Sequence, residues 1–263
     1  MRVIAIVNQK GGAGKTTTSV NMAACLADAG HRVLVLDCDP QAHATLAFGY
    51  DLDEEEQPGL SEVLLDGARL EDVALATVVP NLWVVPAPFD GVDVDLTSRM
   101  AREHLMKRAL SQLSERPDYV ILDCPPNLGF TMLNAFTAAD HFVVTMFPEE
   151  LSRRGLRKLA ATVEDVRNHL NERLQLAGVL CCRVRGELRH SREVLADVRA
   201  DFNARVFTTT IRQNIRLSEA MRARQPITVY DPSSPGCEDY RQFTAEFLAV
   251  MAEDHKEGAH GSP

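Results

Sequence analysis

Apolar residues follow two alternating patterns along the chain. Short apolar runs predict buried strands at residues 3–7, 32–36, 82–85, 119–122, 142–146 and 176–182, with a shorter strand near Val206. Between them, apolar positions recur every three or four residues, which predicts helices at 16–29, 96–115, 152–171, 190–202 and 237–252, short helices within 60–75 and a helix from Leu217. Strands that alternate with helices are typical of right-handed βαβ units and a parallel sheet.

The pattern therefore predicts an α/β fold, a single doubly wound domain with a mostly parallel central sheet flanked by helices. The domain is expected to span residues 1–252, because no internal repeat or low-complexity linker interrupts it. Residues 253–263 are polar and are expected to form a disordered tail. In sheets of this kind, ligands bind at the carboxyl ends of the strands.

The glycine-rich stretch after the first strand is the clearest candidate site. It reads Lys10-Gly-Gly-Ala-Gly-Lys-Thr-Thr17 and leads into a predicted helix. Glycines let successive N–H groups point into one concavity that suits phosphate oxygens, and the helix N-terminus adds partial positive charge. On the pattern G-x-x-x-x-G-K-[ST], Lys15 would reach the β- and γ-phosphates and Thr16 would ligate Mg²⁺, although Gln9 stands where the first glycine is usual. The sequence thus predicts a nucleotide site of the P-loop NTPase type.

Three aspartates follow predicted strands and are expected to converge on this loop. Asp123 comes directly after the strand at 119–122 and fits the carboxylate that holds the Mg²⁺ shell, directly or through water. The alternative is an aspartate that caps a turn. Asp37 and Asp39 follow the second strand, and one could tune the metal shell while the other orients the attacking water.

Lys10 lies five residues before Lys15, on the outer lip of the loop. From there it could reach a phosphate bound by a second copy of the chain, as an arginine finger does in trans. An ordinary solvent-exposed lysine is the alternative interpretation.

Composition and charge narrow the class of protein. No apolar run reaches the roughly 18 residues of a membrane span, and the first strand begins too early for a signal peptide. The six cysteines lack zinc spacing or a C-x-x-C pair, as expected for reduced thiols in the cytoplasm. The net charge of −9 argues against indiscriminate nucleic-acid binding, yet residues 183–224 hold ten arginines and five acids. This local positive excess contrasts with the net negative charge of the whole chain and needs an explanation.

Taken together, these motifs resemble the deviant Walker A class of ATPases that includes ParA and MinD. The stretch from Lys10 to Thr17 is similar to its K-G-G-x-G-K-[ST] motif, Leu36-Asp-Cys-Asp-Pro-Gln41 to its second motif, and Ile121-Leu-Asp-Cys-Pro-Pro126 to its Walker B motif. Residues 206–211, 214–220 and 226–236 resemble the tail of the chromosomal ParA/Soj branch. The resemblance covers about residues 1–250.

The resemblance implies a role for each matching residue. Lys10 would cross an ATP-bound dimer to the partner's phosphates, and Asp39 would assist hydrolysis. Mg²⁺ or its waters would contact Thr16, Asp37 and Asp123. The implied nucleotide-binding residues are Lys10, Gly11, Gly12, Ala13, Gly14, Lys15, Thr16 and Thr17, with Asp231 and Pro232 near the base. Arg189 and Arg216 match positions that contribute to non-specific DNA binding.

The implied activity is Mg²⁺-dependent ATP hydrolysis by a ParA-like protein. Such a protein dimerises on ATP, binds non-specific DNA and is released when a ParB-like partner stimulates slow hydrolysis, which drives chromosome or plasmid segregation. It would be cytoplasmic and associated with the nucleoid. Positioning of another intracellular cargo is an alternative.

Two further alternatives fit the sequence less well. A MinD-like membrane switch needs a basic amphipathic C-terminal helix, whereas residues 251–258 are acidic and short of apolar anchors, so no membrane binding is expected. A binding module without hydrolysis has no need of Lys10, Lys15, Asp39 and Asp123 together.

Two stretches depart from the ParA/Soj pattern. Ile211-Arg212-Gln213-Asn214 lacks the usual proline, and Arg183-Val184-Arg185 replaces M-Y-D. Both changes add positive charge.

Overall fold

The computed structural model describes residues 1–54, 57–147, 153–184 and 205–260, with the backbone alone at 153–157 and 254–260. Its strands are β1 (Arg2–Val7), β2 (Val33–Asp37), β3 (Leu75–Ala76), β4 (Leu82–Val85), β5 (Tyr119–Asp123), β6 (His141–Met146), β7 (Gln175–Val184) and β8 (Val206–Arg212). They form one sheet in the order β3-β4-β2-β5-β1-β6-β7-β8. Only the β3–β4 pair is antiparallel among these described strands. The predicted, mostly parallel sheet is confirmed.

Helices connect the strands and cover the sheet. They are α1 (Lys15–Asp28), α2 (His43–Ala47), α3 (Leu70–Val73), α4 (Val92–Leu96), α5 (Leu105–Ser111), α6 (Phe130–Ala138), α7 (Arg153–His169), α8 (Ile215–Arg222), α9 (Ile227–Tyr230) and α10 (Pro235–His260). A π-helical turn spans Glu62–Asp66 and a 3₁₀ turn spans Arg102–His104. The helix predicted at 190–202 lies outside the described residues.

Alternate residues of the central strands point to opposite faces of the sheet, and each face is buried under helices. On β1, Ala5 belongs to one hydrophobic cluster, which includes Met106 of α5 and Phe136 of α6. Ile4 belongs to the other cluster, with residues of α1, α8, α9 and α10 such as Phe243. This two-sided burial explains why the strands read as continuous apolar runs, and it confirms the doubly wound arrangement.

The prediction of one helix over 96–115 is wrong. The segment is divided among the end of α4, the 3₁₀ turn and α5. The hydroxyls of Thr97 and Ser98 donate to the carbonyls of Val94 and Asp95, and such local bonds compete with helix continuation. Ala101 then adopts a left-handed φ of 50°, which ends the helical path.

The C-terminal helix is longer than predicted. It continues to His260, eight residues past the predicted end at 252. Glu253, Lys256 and Ala259 are good helix formers, and this propensity continues the helix although the apolar pattern has stopped. The division into a domain and a tail at residue 252 stays a prediction.

Replacing Phe243 by alanine should strongly destabilise the fold. Its side chain is fully buried and its ring lies 5.0 Å from that of Phe207, edge to face. Deletion of such a ring lowers the free energy of unfolding by about 3–5 kcal/mol. Urea denaturation followed by circular dichroism measures this value.

Phe89→Ala is the matched control, because Phe89 is 47% exposed. It should change the free energy of unfolding by about 0.5 kcal/mol or less. Equal losses for the two variants would contradict the burial of Phe243 in the core.

Candidate functional site

The loop between β1 and α1 is shaped by Asn8 and by two left-handed glycines. The Asn8 side chain accepts a hydrogen bond from the Lys10 N–H at 2.8 Å and donates one to a backbone carbonyl of β6. Gly12 and Gly14 have φ values of 75° and 86°, a region that favours glycine. A Cβ on Gly14 would also lie 3.4 Å from the Cβ of Cys182. The result is a concave backbone of the kind that binds phosphate.

Lys15 begins α1 and is almost fully buried, with 6% exposure. Its ammonium group donates to the carbonyl of Lys10 at 3.4 Å, across the loop. Burial lowers the pKa of Lys15, and the nearby carboxylates of Asp123 and Asp39 oppose that shift. A buried cation at the centre of the loop is suited to bind an anion.

The other residues predicted to bind nucleotide lie around this lysine at graded depth. Lys10, Gly11 and Gly12 are exposed, Thr16 and Thr17 are half-buried, and Ala13 is buried. Exposure therefore decreases from the first residues of the loop toward the start of α1.

Asp37 and Asp123 are adjacent in the sheet. They end β2 and β5, which pair in register with Asp37 opposite Asp123, and both are fully buried. Burial raises the pKa of Asp37, and the charge of Asp123 raises it further. The structure thus brings these two carboxylates to the edge of the sheet where the glycine loop begins, as the strand pattern predicts.

One oxygen of Asp123 is available for a further ligand. Its Oδ1 accepts from the Ser19 hydroxyl at 2.8 Å, while Oδ2 is buried with no hydrogen-bond partner among the described residues. Burial raises the pKa of Asp123 to about 6, and the hydroxyls of Thr16 and Ser19 lower it in part. An open carboxylate oxygen near a threonine hydroxyl is a donor set that fits Mg²⁺.

The described residues contain no group of three or more His, Cys, Asp or Glu side chains that could hold a metal. In nucleotide sites, Mg²⁺ is commonly bound by one or two protein oxygens together with water and phosphate oxygens.

Asp37 anchors the segment that follows β2. Its Oδ2 accepts from the N–H and the hydroxyl of Thr45, each at 2.8 Å, and its Oδ1 accepts from the N–H of Asp39 at 3.2 Å. The Thr45 hydroxyl also accepts from the N–H of Ala87 at 3.0 Å. Asp39 itself is half-buried and accepts from the N–H of Gln41 at 3.1 Å. Asp39 therefore lies on a turn that is held by hydrogen bonds to Asp37 and from Gln41, and it is nearer to solvent than Asp37.

A cavity of about 480 Å³ lies between the glycine loop and the ends of β7 and β8. Its lining includes Gly12, Gly14, Thr17, Phe147, Cys182, Arg183, Asn214 and Tyr240. Asp231 and Pro232, predicted to lie near a base, are not among the lining residues. Asp231 pairs with Arg216 at 3.4 Å, and the Pro232 carbonyl accepts from Arg241 at 2.9 Å.

Most described arginines of the basic stretch are paired with carboxylates. Arg212 forms a bidentate pair with the buried Asp239, and Arg216 pairs with Glu219 at 2.8 Å. The remaining pairs are Arg205 with Glu253, and Arg224 with Asp51 and Glu54. The charge count within 183–224 therefore overstates the free positive charge, and the charge added by Arg212 is neutralised. Arg189 and Arg185 lie outside the described residues.

Sequence reasoning missed several residues that shape the site. Ser19 lies one turn after Lys15 on the buried face of α1, a spacing that could have indicated it. The other missed residues contact segments that are distant in the sequence, and no local pattern marks them. They are Asn8, Thr45, Phe147, Cys182 and Tyr240.

The chain is similar in sequence to one family model and to proteins of known name. A family model described as an AAA domain matches residues 1–176. The sporulation initiation inhibitor protein Soj of Bacillus subtilis is 42% identical over 250 residues, covering 94% of this chain and 98% of that protein. The chromosome partitioning protein ParA of Caulobacter vibrioides is 37% identical, covering 95% and 94% of the two chains.

Among solved structures, the cobyrinic acid a,c-diamide synthase of Mycobacterium smegmatis, with bound ATP analog and magnesium, superposes with a TM-score of 0.82. It is 34% identical, and the match covers 94% of each chain.

Among the helices described, none is long and apolar enough to cross a membrane.

Thr45→Val should destabilise the protein without changing side-chain volume. Thr45 is fully buried, and its hydroxyl links Asp37 to the N–H of Ala87. Valine leaves both groups without this partner, which lowers the free energy of unfolding by about 1–3 kcal/mol. Chemical denaturation measures the loss. Thr162→Val, at an exposed hydroxyl, is the control, and a Thr45→Val protein as stable as this control would refute the bridging role.

Proposed function

Because the chain belongs to the ParA/Soj family of chromosome-partitioning ATPases, we propose that it couples Mg²⁺-dependent ATP hydrolysis to reversible DNA binding. In this cycle the ATP-bound chain dimerises and binds non-specific DNA in the nucleoid. A ParB-like partner stimulates slow hydrolysis and releases the chain. The cargo is the chromosome, or a plasmid or other intracellular cargo moved by the same cycle.

The observation that carries the proposal is the arrangement of Lys15 and Asp123 beside the glycine loop. Lys15 is the proposed buried cation for the β- and γ-phosphates. Asp123 has a buried oxygen without a hydrogen-bond partner among the described residues, which is the proposed contact to Mg²⁺ or its waters. Thr16 completes the protein ligands for Mg²⁺, with Asp37 behind them. A bound Mg²⁺ would neutralise charge on the phosphates during transfer.

Asp39 is the proposed residue for orienting the attacking water. It stands on the turn after β2, half-buried, and its charge acts on Lys15. A carboxylate at this depth can contact both solvent and the phosphate site. Hydrolysis by such a site depends on positioning and charge neutralisation, without a covalent intermediate.

Lys10 is the proposed contact between the two copies. It lies on the exposed lip of the loop, and its N–H is held by Asn8. On this proposal its side chain reaches the triphosphate bound by the partner subunit, as an arginine finger does. The dimer thereby depends on the γ-phosphate.

Arg216 is the described candidate for DNA contact. It lies at the start of α8 with its side chain 51% exposed, and it pairs with Glu219 and Asp231. A DNA phosphate has to compete with these carboxylates, so a single copy is expected to bind weakly. Two such surfaces on one dimer bind by avidity, which makes attachment depend on ATP. Arg189 belongs to the same proposal.

Nucleotide-dependent DNA binding tests the proposed function. Fluorescence anisotropy with a labelled duplex of arbitrary sequence should detect tight binding in Mg-ATP, and weak binding in Mg-ADP or without nucleotide. A DNA affinity that is the same in all three conditions would overturn the proposal.

Lys10→Ala should separate ATP binding from dimer formation. Calorimetry should give an ATP affinity close to that of the wild type, because Lys15 still binds the triphosphate. Light scattering in Mg-ATP should give the mass of a monomer. Lys107→Ala, at an exposed lysine of α5, is the control that should dimerise normally. A Lys10→Ala protein that still dimerises on ATP would refute the role in trans.

Arg216→Glu should weaken DNA binding while the ATP-bound dimer persists. Loss of a phosphate contact should also reduce the slope of log affinity against log salt by about 1 for each copy. Arg108→Glu makes the same charge change on α5, on the opposite face of the sheet, and should leave DNA affinity intact. The proposal fails for Arg216 if both variants bind DNA equally well.

A further inference from the structure

The cavity beside the glycine loop has an arginine on its rim that the proposed function does not yet use. Gly12, Gly14 and Thr17 line one side, and Phe147, Cys182 and Arg183 belong to the other. If the loop holds the phosphates, this cavity is the space next to them for the nucleoside. A role of this cavity in nucleoside binding therefore rests on the proposed function.

Arg183 lies in a bulge between β7 and β8. Cys181 pairs with Thr210 and Val184 pairs with Arg212, so β7 has one more residue than β8 between these two pairs. Bulges of this kind turn a side chain in a new direction and are frequent next to active sites. Here Cys182 and Arg183 together stand opposite the single residue Ile211 of β8.

The backbone at Arg183 is left-handed, with φ of 56°. Glycine would adopt this conformation without a steric penalty, yet the chain places an arginine there. A strained residue persists where the surroundings hold it, and such residues cluster at ligand sites. The preceding residue, Cys182, packs against the glycine loop, because a Cβ on Gly14 would lie 3.5 Å from its Sγ. The bulge therefore has a fixed position relative to the loop.

The two arginines of the cavity lining have different surroundings. Arg212 is held in a bidentate pair by Asp239. The guanidinium carbon of Arg183 instead lies 5.4 Å from the centre of the Phe147 ring, and Arg183 is exposed. A guanidinium is planar and stacks on aromatic faces, so it can present a second face to another flat ring.

We propose that Arg183, supported by Phe147, is the stacking surface for the base of the bound nucleotide. It acts on the base end of the ligand, away from the phosphates. Its loss therefore weakens ATP and ADP alike and leaves binding of a triphosphate without a base unchanged. This distinguishes stacking from a general attraction of positive charge for phosphate.

Isothermal calorimetry with Arg183→Ala tests the proposal. With Mg²⁺ present, the variant should bind ATP and ADP about 5- to 30-fold more weakly than the wild type, the range expected for loss of one such contact. Affinity for inorganic tripolyphosphate should be unchanged. Arg222→Ala, at an exposed arginine of α8, is the control and should bind all three ligands like the wild type.

Arg183→Gly separates stacking from folding. Glycine relieves the left-handed strain, so this variant should melt at or above the wild-type temperature while it binds ATP as weakly as Arg183→Ala. Wild-type ATP affinity in both variants would overturn the role of Arg183 and leave the proposed function intact. An equal loss of tripolyphosphate binding would also overturn it. A wild-type chain that binds no ATP would refute the proposed function itself and this inference with it.

Discussion

The parallel, in-register pairing of β1, β5 and β2 is the constraint on which the site depends. It sets Asp37 opposite Asp123 and Ile6 opposite Asp123, so both carboxylates reach the edge from which the glycine loop departs. These strands are buried on both faces, and a slip of one residue would exchange the packing of every side chain. Hydrophobic packing of the strands therefore sets the positions of Asp37 and Asp123. Hydrogen bonds from Ser19 to Asp123 and from Thr45 to Asp37 then orient the two carboxylates.

Burial makes the charges of the site depend on one another. Lys15 and Asp123 are removed from water at the same edge, where each favours the charged form of the other. On the proposed function, a triphosphate adds negative charge and Mg²⁺ adds positive charge, so the two are expected to bind together. Most arginines of residues 205–224 are also paired with carboxylates. Asp239 neutralises Arg212 and Glu219 neutralises Arg216 in the absence of DNA. DNA affinity is then set by competition, which favours a dimer with two surfaces.

Sequence patterns predicted the parallel sheet and the convergence of the loop with Asp37 and Asp123, because strand periodicity and the position of strand ends are local signals. The sequence patterns did not predict β3, which has only two residues. They also did not predict α6, which begins seven residues after Asp123. The interruption at Ala101 depends on a single backbone conformation. Arg216 pairs with Asp231, which lies outside the stretch 183–224, so a count of charges within that stretch could not predict the pair. The bulge at Arg183 depends on how β7 pairs with β8, which no local sequence pattern shows.

On the proposed function, ATP held by the glycine loop joins two copies of the chain. Light scattering of Asp39→Ala in Mg-ATP tests it most directly, because a chain that cannot hydrolyse ATP stays in its ATP-bound state. We expect the mass of a dimer in Mg-ATP and the mass of a monomer in Mg-ADP. A monomer in saturating Mg-ATP, with ATP binding verified by calorimetry, would contradict it.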